Sequence, residues 1–372
     1  MKAGVYIHIP FCRARCGYCD FNTYAGIEKF MPRYVQALLR EISLNWGLEA
    51  RTLYFGGGTP SILSVDLVVQ IVQACRQALS LQEGEISMEA NPGTVNAEYL
   101  AGLRGVGVNR LSLGVQSFAE AELKLLGRLH DTMQAEEAFS WARAAGFDNI
   151  NIDLIFGLPG QGLEAWRRSL SKAVKLAPEH LSLYHLTLDE ATPLAQAIAR
   201  GEFPLPDTDL AADMYLLSED MLREAGYEHY EISNWAKPGR RCQHNLIYWK
   251  NQPYLGLGAG AHSYLDGCRF ANMALPLEYI QRLEQDLSPI GQREEAGEVV
   301  ERAETMFLGL RLTEGIGEEE FAARFGSSPS HLYSSEIAEL RSLGLLEQTG
   351  LRLSRQGRLL GNEVFLRFLA KV

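Results

Sequence analysis

The sequence predicts an α/β protein built from six strand–helix units and followed by an α-rich C-terminal region. Two observations carry this prediction: short β-branched runs alternate with longer helical patterns up to about residue 228, and the pattern changes beyond it. Such alternation is typical of parallel strands joined by right-handed crossover helices. Six units fit a TIM-like (β/α)6 barrel, complete or partial, or an open doubly wound sheet.

The six units follow one another in chain order. Strands are indicated by short apolar runs and helices by apolar residues spaced three or four apart. The predicted strands are "VYIHI" (from Val5), "RTLYFG" (from Arg51), "EISMEA" (from Glu85), "RLSLGVQ" (from Arg110), "NINIDLIF" (from Asn149) and "HLSLYHL" (from His180). The predicted helices are "RYVQALLREISLNW", "VDLVVQIVQACRQAL", "AEYLAGLRGVG", "MQAEEAFSWARAAG", "LEAWRRSLSKAVKLA" and "DLAADMYLLSEDMLREAG".

The changes of pattern divide the chain into three parts. Residues 1–228 form the predicted barrel core, and residues 229–290 form a connecting segment rich in aromatic residues and glycine, read as short strands and loops. The charged stretch "PIGQREEAGE" marks a boundary. Residues 291–372 contain three helical patterns and a hairpin candidate, "LLEQTGLRLS", which together resemble a winged-helix arrangement.

Composition excludes several classes of protein. The 372 residues carry a net charge of -11, which argues against a nucleic-acid-binding surface. The N-terminus does not resemble a signal peptide, and no apolar run reaches transmembrane length, so we expect a cytoplasmic protein without a membrane-spanning segment. Six cysteines in such a chain are expected to be metal ligands or core residues rather than disulfides.

Three cysteines stand close together in "FCRARCGYCDF", directly after the first predicted strand: Cys12, Cys16 and Cys19. Closely spaced thiolates select zinc or an iron–sulfur cluster, and structural zinc uses four ligands. Three cysteines can hold a [4Fe-4S] cluster whose fourth iron has no protein ligand. That iron can take the amino and carboxylate groups of a small molecule. The spacing therefore favours a cluster, with a zinc site or uninvolved loop thiols as the alternative.

Further polar or glycine-rich features lie at or just past the ends of the predicted strands. They are "GGGTP" (from Gly56), Glu89, Gln116, Asp153 and His185. The carboxyl ends of parallel strands are where active sites are built in barrels and open sheets. Glu89 and Asp153 are inward carboxylates that need polar partners. We therefore expect a functional site at this edge.

C-x3-C-x2-C after a first strand resembles the signature of radical S-adenosylmethionine (SAM) enzymes. In that family SAM binds the open iron, and an electron from the cluster cleaves it to a 5'-deoxyadenosyl radical. The resemblance implies a partial barrel, a [4Fe-4S] cluster and SAM. It places Gly57, Gly58 and Thr59 along the amino-acid part of SAM. The remaining residues that it places near SAM, or near a second SAM, are Tyr6, Tyr18, Glu89 (at the ribose), Gln116, Arg128 and Asp153. An exposed salt bridge is the alternative for Arg128.

Tyr6 and His8 are two residues apart on the first strand and therefore share one of its faces. If Val5 and Ile7 point outward, Tyr6 and His8 point into the barrel. We expect both to face the cofactor, with a hydrogen-bonded core pair as the alternative.

A narrower resemblance runs along nearly the whole chain. The segments "YIHIPFC", "FGGGTPS", "MEANPG", "RLSLGVQSF", "NIDLIFGLPGQ" and "HNLIYW" are similar to oxygen-independent coproporphyrinogen III oxidases and their heme-chaperone relatives. Three departures from the oxidases favour the chaperones: Phe21 replaces a further cysteine, only eleven residues precede Cys12, and H-N-x-x-Y-W belongs to the chaperone branch.

The expected function is therefore that of a heme chaperone with a radical SAM core, without coproporphyrinogen oxidase activity. In the H-N-x-x-Y-W motif, a loop histidine, His244, can ligate heme iron while aromatic rings stack on the porphyrin. The implied partners are heme, heme-accepting apoproteins and an electron donor such as flavodoxin or ferredoxin, with no nucleic acid. An oxidase, or a radical SAM enzyme of unknown substrate, remains the alternative.

Overall fold

The computed structural model describes residues 1–81 and 83–369. In these residues the strands alternate with helices over the first two thirds of the chain, as predicted. The strands are β1 Lys2–Ile9, β2 Phe11–Cys12, β3 Tyr24–Ala25, β4 Glu49–Gly57, β5 Glu85–Ala90, β6 Arg110–Gln116, β7 Ile150–Phe156, β8 His180–His185, β9 Glu228–Glu231, β10 Asn234–Ala236, β11 Tyr254–Leu257, β12 His262–Leu265, β13 Cys268–Asn272 and β14 Ile290–Glu295.

The helices of the core cover the predicted patterns closely. The α-helices are α1 Met31–Leu44, α2 Val65–Ala78, α3 Ala97–Val106, α4 Glu120–Leu126, α5 Thr132–Ala144, α6 Leu163–Lys175, α7 Pro193–Ala199, α8 Thr208–Glu224, α9 Gln243–Trp249, α10 Pro276–Glu284, α11 Glu298–Gly309, α12 Glu318–Phe325, α13 Pro329–Leu332, α14 Ser334–Ser342, α15 Arg355–Leu359 and α16 Gly361–Leu369. Short 3-10 turns lie at Glu28–Phe30, Pro60–Ile62 and Pro92–Thr94. No helix of the described residues has the length and apolar character needed to cross a bilayer.

The sheet is a partial barrel, which confirms the predicted architecture. Its order is β14-β13-β12-β11-β1-β4-β5-β6-β7-β8-β10-β9, and the six core strands in its centre are parallel. Strand β1 pairs on its other side with β11, and β8 pairs with the antiparallel β10. Because the two ends of the core are occupied by these different neighbours, β1 and β8 do not meet and the barrel stays open.

Strand β1 shows why the two faces of the sheet differ. Val5, Ile7 and Ile9 are fully buried in the main hydrophobic core with Val35 and Leu38 of helix α1. These β-branched residues are stiff and pack well on a pleated surface. The alternate residues of the strand therefore face the concave side of the sheet, as predicted.

The segment after residue 228 builds both edges of the same sheet. Strands β9 and β10 lie at one edge, and β11 to β13 lie at the other. The charged stretch predicted as a boundary forms β14, which pairs with β13. The H-N-x-x-Y-W motif was predicted in a loop, and that prediction is wrong, because it forms helix α9. The division of the chain at residues 228 and 290 stays a prediction.

The C-terminal region is helical and has its own hydrophobic core, which includes Met306, Leu340 and Phe368. The predicted hairpin is present, since Leu346 and Leu353 are bridged in antiparallel fashion. A further bridge joins Ile316 to Leu351, next to the same hairpin. Helices combined with a small β-wing match the expected winged-helix-like arrangement; the predicted domain ends at residue 372, beyond the described residues.

Candidate functional site

A cavity of about 400 Å³ opens at the carboxyl edge of the core strands and extends along their concave face. Most of the predicted site residues line it, although they come from five different strand ends. Those that line it are Cys12, Cys16, Tyr18, Cys19, Gly57, Gly58, Thr59, Glu89, Gln116, Arg128 and Asp153. Tyr6 and His244 are not among the lining residues. The parallel topology thus brings together side chains that lie far apart in sequence.

The glycine-rich segment after β4 fixes the start of the cysteine loop. The N–H of Gly58 donates to the carbonyl of Ile9 (2.8 Å), and the N–H of Thr59 donates to the carbonyl of Phe11 (2.9 Å). A Cβ at Gly58 would lie 2.7 Å from the Phe11 carbonyl oxygen and 3.0 Å from Cys12 Sγ. Only glycine allows the segment after β4 to approach the start of the cysteine loop this closely.

The backbone donors of the glycine-rich segment are used within the protein. The N–H of Gly57 also has a partner, Glu89 Oε2, at 3.3 Å. Gly57 has φ +112°, a conformation that favours glycine. The segment therefore lines the cavity, and its backbone N–H groups bind β1, the start of the cysteine loop and Glu89.

Each cysteine of the loop has a hydrogen-bonding neighbour. Thr59 Oγ1 donates to Cys12 Sγ (3.5 Å), Arg128 Nη1 donates to Cys16 Sγ (3.4 Å), and Cys19 Sγ lies 3.8 Å from Thr23 Oγ1. Burial raises the pKa of the Cys12 thiol, and the Thr59 hydrogen bond opposes that rise. Donors of this kind favour thiolates, the form that binds metal.

The cysteine arrangement fits an iron–sulfur cluster better than a single ion. All three side chains line one cavity, and the described cysteines are all free. Within residues 1–81 and 83–369, no three His, Cys, Asp or Glu side chains are placed to hold a single metal ion. A four-iron cluster binds thiolates at separate corners, so its ligands stand further apart than those of one zinc ion.

Arg128 carries a positive charge into the cavity. Its Nη2 donates to the Gly114 carbonyl (2.6 Å) and to Asn91 Oδ1 (2.8 Å). No carboxylate of the described chain pairs with it, so the alternative of an exposed salt bridge is wrong. Nearby, burial raises the pKa of Tyr18, which keeps its hydroxyl neutral. An unneutralised guanidinium beside Cys16 is suited to a ligand carboxylate.

Glu89 is the central carboxyl of the site. It accepts a hydrogen bond from Tyr54 OH (2.9 Å) as well as that from Gly57. Burial, and secondarily the charge of Asp153, raises the pKa of Glu89 from 4.5 to about 7. The expected partner of Glu89 was a ligand hydroxyl; the protein itself supplies two donors.

Asp153 and Gln116 occupy neighbouring strands. Ser112 Oγ donates to Asp153 Oδ2 (3.0 Å), and Asn151 Nδ2 donates to Asp153 Oδ1 (2.7 Å), so the predicted polar interior partners exist. Burial raises the pKa of Asp153. Gln116 has φ +70°, unusual outside glycine, at the end of β6. This backbone conformation ends the strand at the cavity.

Tyr6 lies beside the site rather than in it. Its hydroxyl is hydrogen-bonded to His8 Nδ1 (3.0 Å), and His8 Nε2 is hydrogen-bonded to the Asn22 carbonyl (3.0 Å). The Tyr6 ring stacks on Tyr54, with centroids 6.2 Å apart. The concave side was predicted correctly, but the alternative of a hydrogen-bonded pair describes Tyr6 and His8 better than direct contact with a cofactor.

His244 is buried on helix α9 rather than placed on a loop, and its expected contact with heme stays a prediction. It is 1% exposed, and its Nδ1 and Nε2 are hydrogen-bonded to Thr52 Oγ1 (2.8 Å) and Tyr248 OH (2.9 Å). Burial lowers its pKa to about 3, so the ring is neutral. Its ring stacks on Tyr54 at 5.0 Å between centroids. The residue of the motif that lines the cavity is Asn245.

Sequence reasoning missed several lining residues, chiefly polar side chains on the inner face of the strands. On β6 they follow a period of two: Arg110, Ser112, Gly114 and Gln116 all line the cavity. That period could have identified them. The other missed residues with polar side chains are Arg15, Asp20, Thr23, Tyr54, Asn91, Asn151, Ser182, Tyr184, Thr187 and Asn245.

The "Radical SAM superfamily" profile matches residues 6–173, and the "HemN C-terminal domain" profile matches residues 301–360. "Heme chaperone HemW" of Bacillus subtilis is 37% identical over 99% of both chains. The chain belongs to the HemW family of radical SAM proteins. HemW of Lactococcus lactis is 38% identical over 98% of this chain and 96% of its own.

A solved structure supports the fold of this HemW family member. The Escherichia coli coproporphyrinogen III oxidase HemN, described as a radical SAM enzyme, superposes with a TM-score of 0.86. The match covers 98% of this chain and 89% of HemN at 23% sequence identity. This chain therefore shares its fold with most of HemN.

Proposed function

We propose that this protein is a heme chaperone that binds heme and delivers it to apoproteins, with a radical SAM core that holds a [4Fe-4S] cluster and SAM. The observation that carries the proposal is the match to proteins named heme chaperone HemW over nearly the full length of the chain. The sequence comparison covers core, connecting segment and C-terminal region together. The function of the relatives can therefore be transferred to the chain as a unit.

The cavity supports the cofactor part of the proposal. Cys12, Cys16 and Cys19 would hold three irons of the cluster, and SAM would chelate the fourth and supply radical chemistry when bound. Arg128 would bind the carboxylate of SAM, because its charge has no carboxylate partner among the described residues. Glu89 would then lie along the wall of the same cavity.

Phe21 favours a chaperone over an oxidase. It lines the cavity mouth beside the cysteine loop and is 66% exposed. The oxidase pattern has a further cysteine at this position, whereas a phenyl ring can neither ligate metal nor transfer a proton. An exposed ring at a cavity mouth is suited to a flat apolar ligand such as a porphyrin.

The cofactor proposal is tested by anaerobic reconstitution with iron and sulfide. We expect about four irons per chain and a broad visible absorption. Replacing Cys12, Cys16 and Cys19 together by Ser should abolish both, whereas Cys268→Ala, on β13, should leave them unchanged. Cluster formation that survives the triple replacement would contradict the proposal.

The function is tested by two measurements on the reconstituted protein. Titration with hemin should shift the Soret band, and transfer to a heme-free acceptor protein should follow. Incubation with coproporphyrinogen III, SAM and a reductant should yield no protoporphyrinogen. Efficient turnover would restore the oxidase alternative, and the same assay with flavodoxin or ferredoxin as reductant tests the expected electron donor.

A further inference from the structure

The cavity extends far beyond the cysteine loop. Strand β6 lines it from Arg110 at one end to Gln116 at the other. Six residue steps of a strand span about 20 Å. Gln116 lies at the same strand edge as the cysteines, so Arg110 lies at the opposite, inner end of the cavity.

The side chain of Arg110 is buried without a hydrogen bond to any described residue. Only 2% of its surface is exposed, yet it lines the cavity. Its Nε has no partner, and its two Nη groups donate to no described residue of the chain. A guanidinium has five N–H donors, and buried donors are almost always satisfied. The guanidinium N–H groups of Arg110 therefore lack acceptors within the described residues, and this absence needs an explanation.

The nearby carboxylates do not satisfy Arg110. Glu89 and Asp153 are bonded to other donors, as described above. Glu85 accepts hydrogen bonds from the N–H groups of Gln243 (3.0 Å) and His244 (3.1 Å) at the start of helix α9. Burial also raises the pKa values of Glu89 and Asp153, which reduces their negative charge. The positive charge of Arg110 is therefore balanced only in part.

Asn245 adds a second unused polar group at the same end. It lines the cavity, and its side-chain amide forms no hydrogen bond with the described residues. Cys242 lies next to both residues: its pKa is raised to about 12 by burial, a rise opposed by the charge of Arg110 and by the backbone N–H of Asn245. An amide donor and a guanidinium thus stand together.

We propose that Arg110 and Asn245 form a carboxylate-binding subsite at the inner end of the cavity. The forked guanidinium matches a carboxylate in two parallel hydrogen bonds, and Asn245 Nδ2 can donate a third. The carboxylate is that of an organic ligand, either a small acid or the propionate arm of a tetrapyrrole. The subsite goes beyond heme delivery and does not depend on it.

The test uses the full reconstituted chain and sodium propionate as the probe. Binding is followed by broadening of the propionate proton NMR signals, with 1-propanol as the uncharged control. Loss of a charged hydrogen-bond donor should weaken binding about ten- to a hundredfold in Arg110→Gln. Arg110→Lys should restore part of it, since the charge remains without the fork.

Two further variants separate the subsite from effects on folding. Arg104→Gln, on helix α3 and outside the cavity, should bind propionate as the wild type does. Asn245→Asp, which introduces a negative charge at the cavity wall, should weaken binding even if Arg110→Gln does not fold. Equal broadening by propionate in wild type, Arg110→Gln and Asn245→Asp would overturn the proposal, as would the absence of broadening in the wild type.

The source of the carboxylate is decided by comparing heme with heme dimethyl ester, whose propionates are blocked. A preference for heme that is lost in Arg110→Gln assigns the subsite to a tetrapyrrole arm. Propionate binding without such a preference assigns it to a small acid. Failure of heme binding together with intact propionate binding would refute the proposed chaperone function and leave the subsite standing.

Discussion

At the scale of single residues, the structure gives the H-N-x-x-Y-W histidine a role inside the protein. His244 has its two ring nitrogens bonded to hydroxyl groups and its face against Tyr54. Tyr54 in turn donates to Glu89. His244 of the motif expected to contact heme therefore packs against Tyr54, which holds Glu89 at the cavity wall.

His244→Ala should consequently destabilise the protein rather than remove an iron ligand. Loss of the buried ring leaves a cavity and two unpaired hydroxyls, at Thr52 and Tyr248. We expect the free energy of unfolding to fall by about 2–4 kcal/mol. Urea denaturation measures this change. The position of the Soret band in bound heme should not move; a shift would mean that His244 reaches the iron after all.

The raised pKa of Glu89 predicts how the free energy of unfolding depends on pH. As pH rises from 4.5 towards 7, the unfolded chain loses this proton before the folded protein does, because burial raises the folded pKa to about 7. The free energy of unfolding should therefore fall over this range, by an amount on the order of 1–3 kcal/mol, and then level off.

Glu89→Gln should remove that part of the pH dependence. Unfolding by urea at a series of pH values measures the slope for wild type and variant. The exposed Glu137→Gln variant is the control and should keep the wild-type slope. Part of the slope should persist in Glu89→Gln, because burial also raises the pKa of Asp153. Identical slopes in wild type and Glu89→Gln would show that Glu89 is ionised in the folded protein.

At the scale of elements, the glycine segment after β4 decides where the cysteine loop lies. Its N–H groups pair with Ile9 and Phe11, so β4 and the loop are joined along their length. A Cβ at Gly57 would lie 2.6 Å from the ring of His8. His8 in turn is bonded to the carbonyl of Asn22, just after the cysteines.

Gly57→Ala should therefore disturb cluster binding as well as stability. We expect a loss of more than about 1 kcal/mol, the usual cost of a positive φ alone, and a lower iron content after reconstitution. Gly47→Ala is a matched control, since Gly47 also has positive φ (+94°) but nothing within 4 Å of its added Cβ. Equal effects of the two substitutions would refute the packing explanation.

At the scale of the whole molecule, one of the contacts between the C-terminal region and the core is centred on the carboxylate of Glu219. Glu219 of helix α8 accepts hydrogen bonds from Arg355 Nε (2.8 Å) and Arg358 Nε (3.0 Å) of helix α15. Burial alone would raise the pKa of Glu219, but His229 and the two arginines outweigh it and lower the pKa to about 2.

Glu219→Gln should loosen this contact. Because Glu219 loses charged hydrogen bonds to two arginines, of which Arg355 is half exposed, we expect a loss of about 1–3 kcal/mol. Hydrogen exchange should become faster in residues 298–369 than in the core sheet. The exposed Glu164→Gln variant, which loses only a surface pair with Arg167, should show neither effect. Unchanged exchange in the C-terminal helices would contradict the fastening role.

Below pH 4.5 the same contact should weaken in the wild type. A carboxyl whose folded pKa is lowered stabilises the folded state above its unfolded value, and that contribution is lost as pH falls towards 2. Acid should therefore increase exchange in the C-terminal helices, and Glu219→Gln should remove this component. An acid response that is the same in both proteins would exclude Glu219 as its source.

Local sequence patterns were enough to predict the six strand–helix units, the cysteine loop and the strand ends that carry the site. These follow from local patterns: side chains alternate along a strand, apolar residues repeat along a helix, and the cysteine spacing lies within eight residues. Parallel topology then places Glu89, Gln116 and Asp153 at one edge. This part needs no knowledge of which side chains touch.

The hydrogen-bond partners of the polar groups became evident only in the folded chain. The N–H of Gly58 donates to Ile9 of β1 and that of Gly57 to Glu89, and His244 is buried while Asn245 lines the cavity. Arg110 looked like an ordinary first residue of a strand, yet its Nε is buried without a hydrogen-bond partner among the described residues. Hydrogen bonds and burial join residues far apart in the chain, and local sequence patterns contain no record of those pairings.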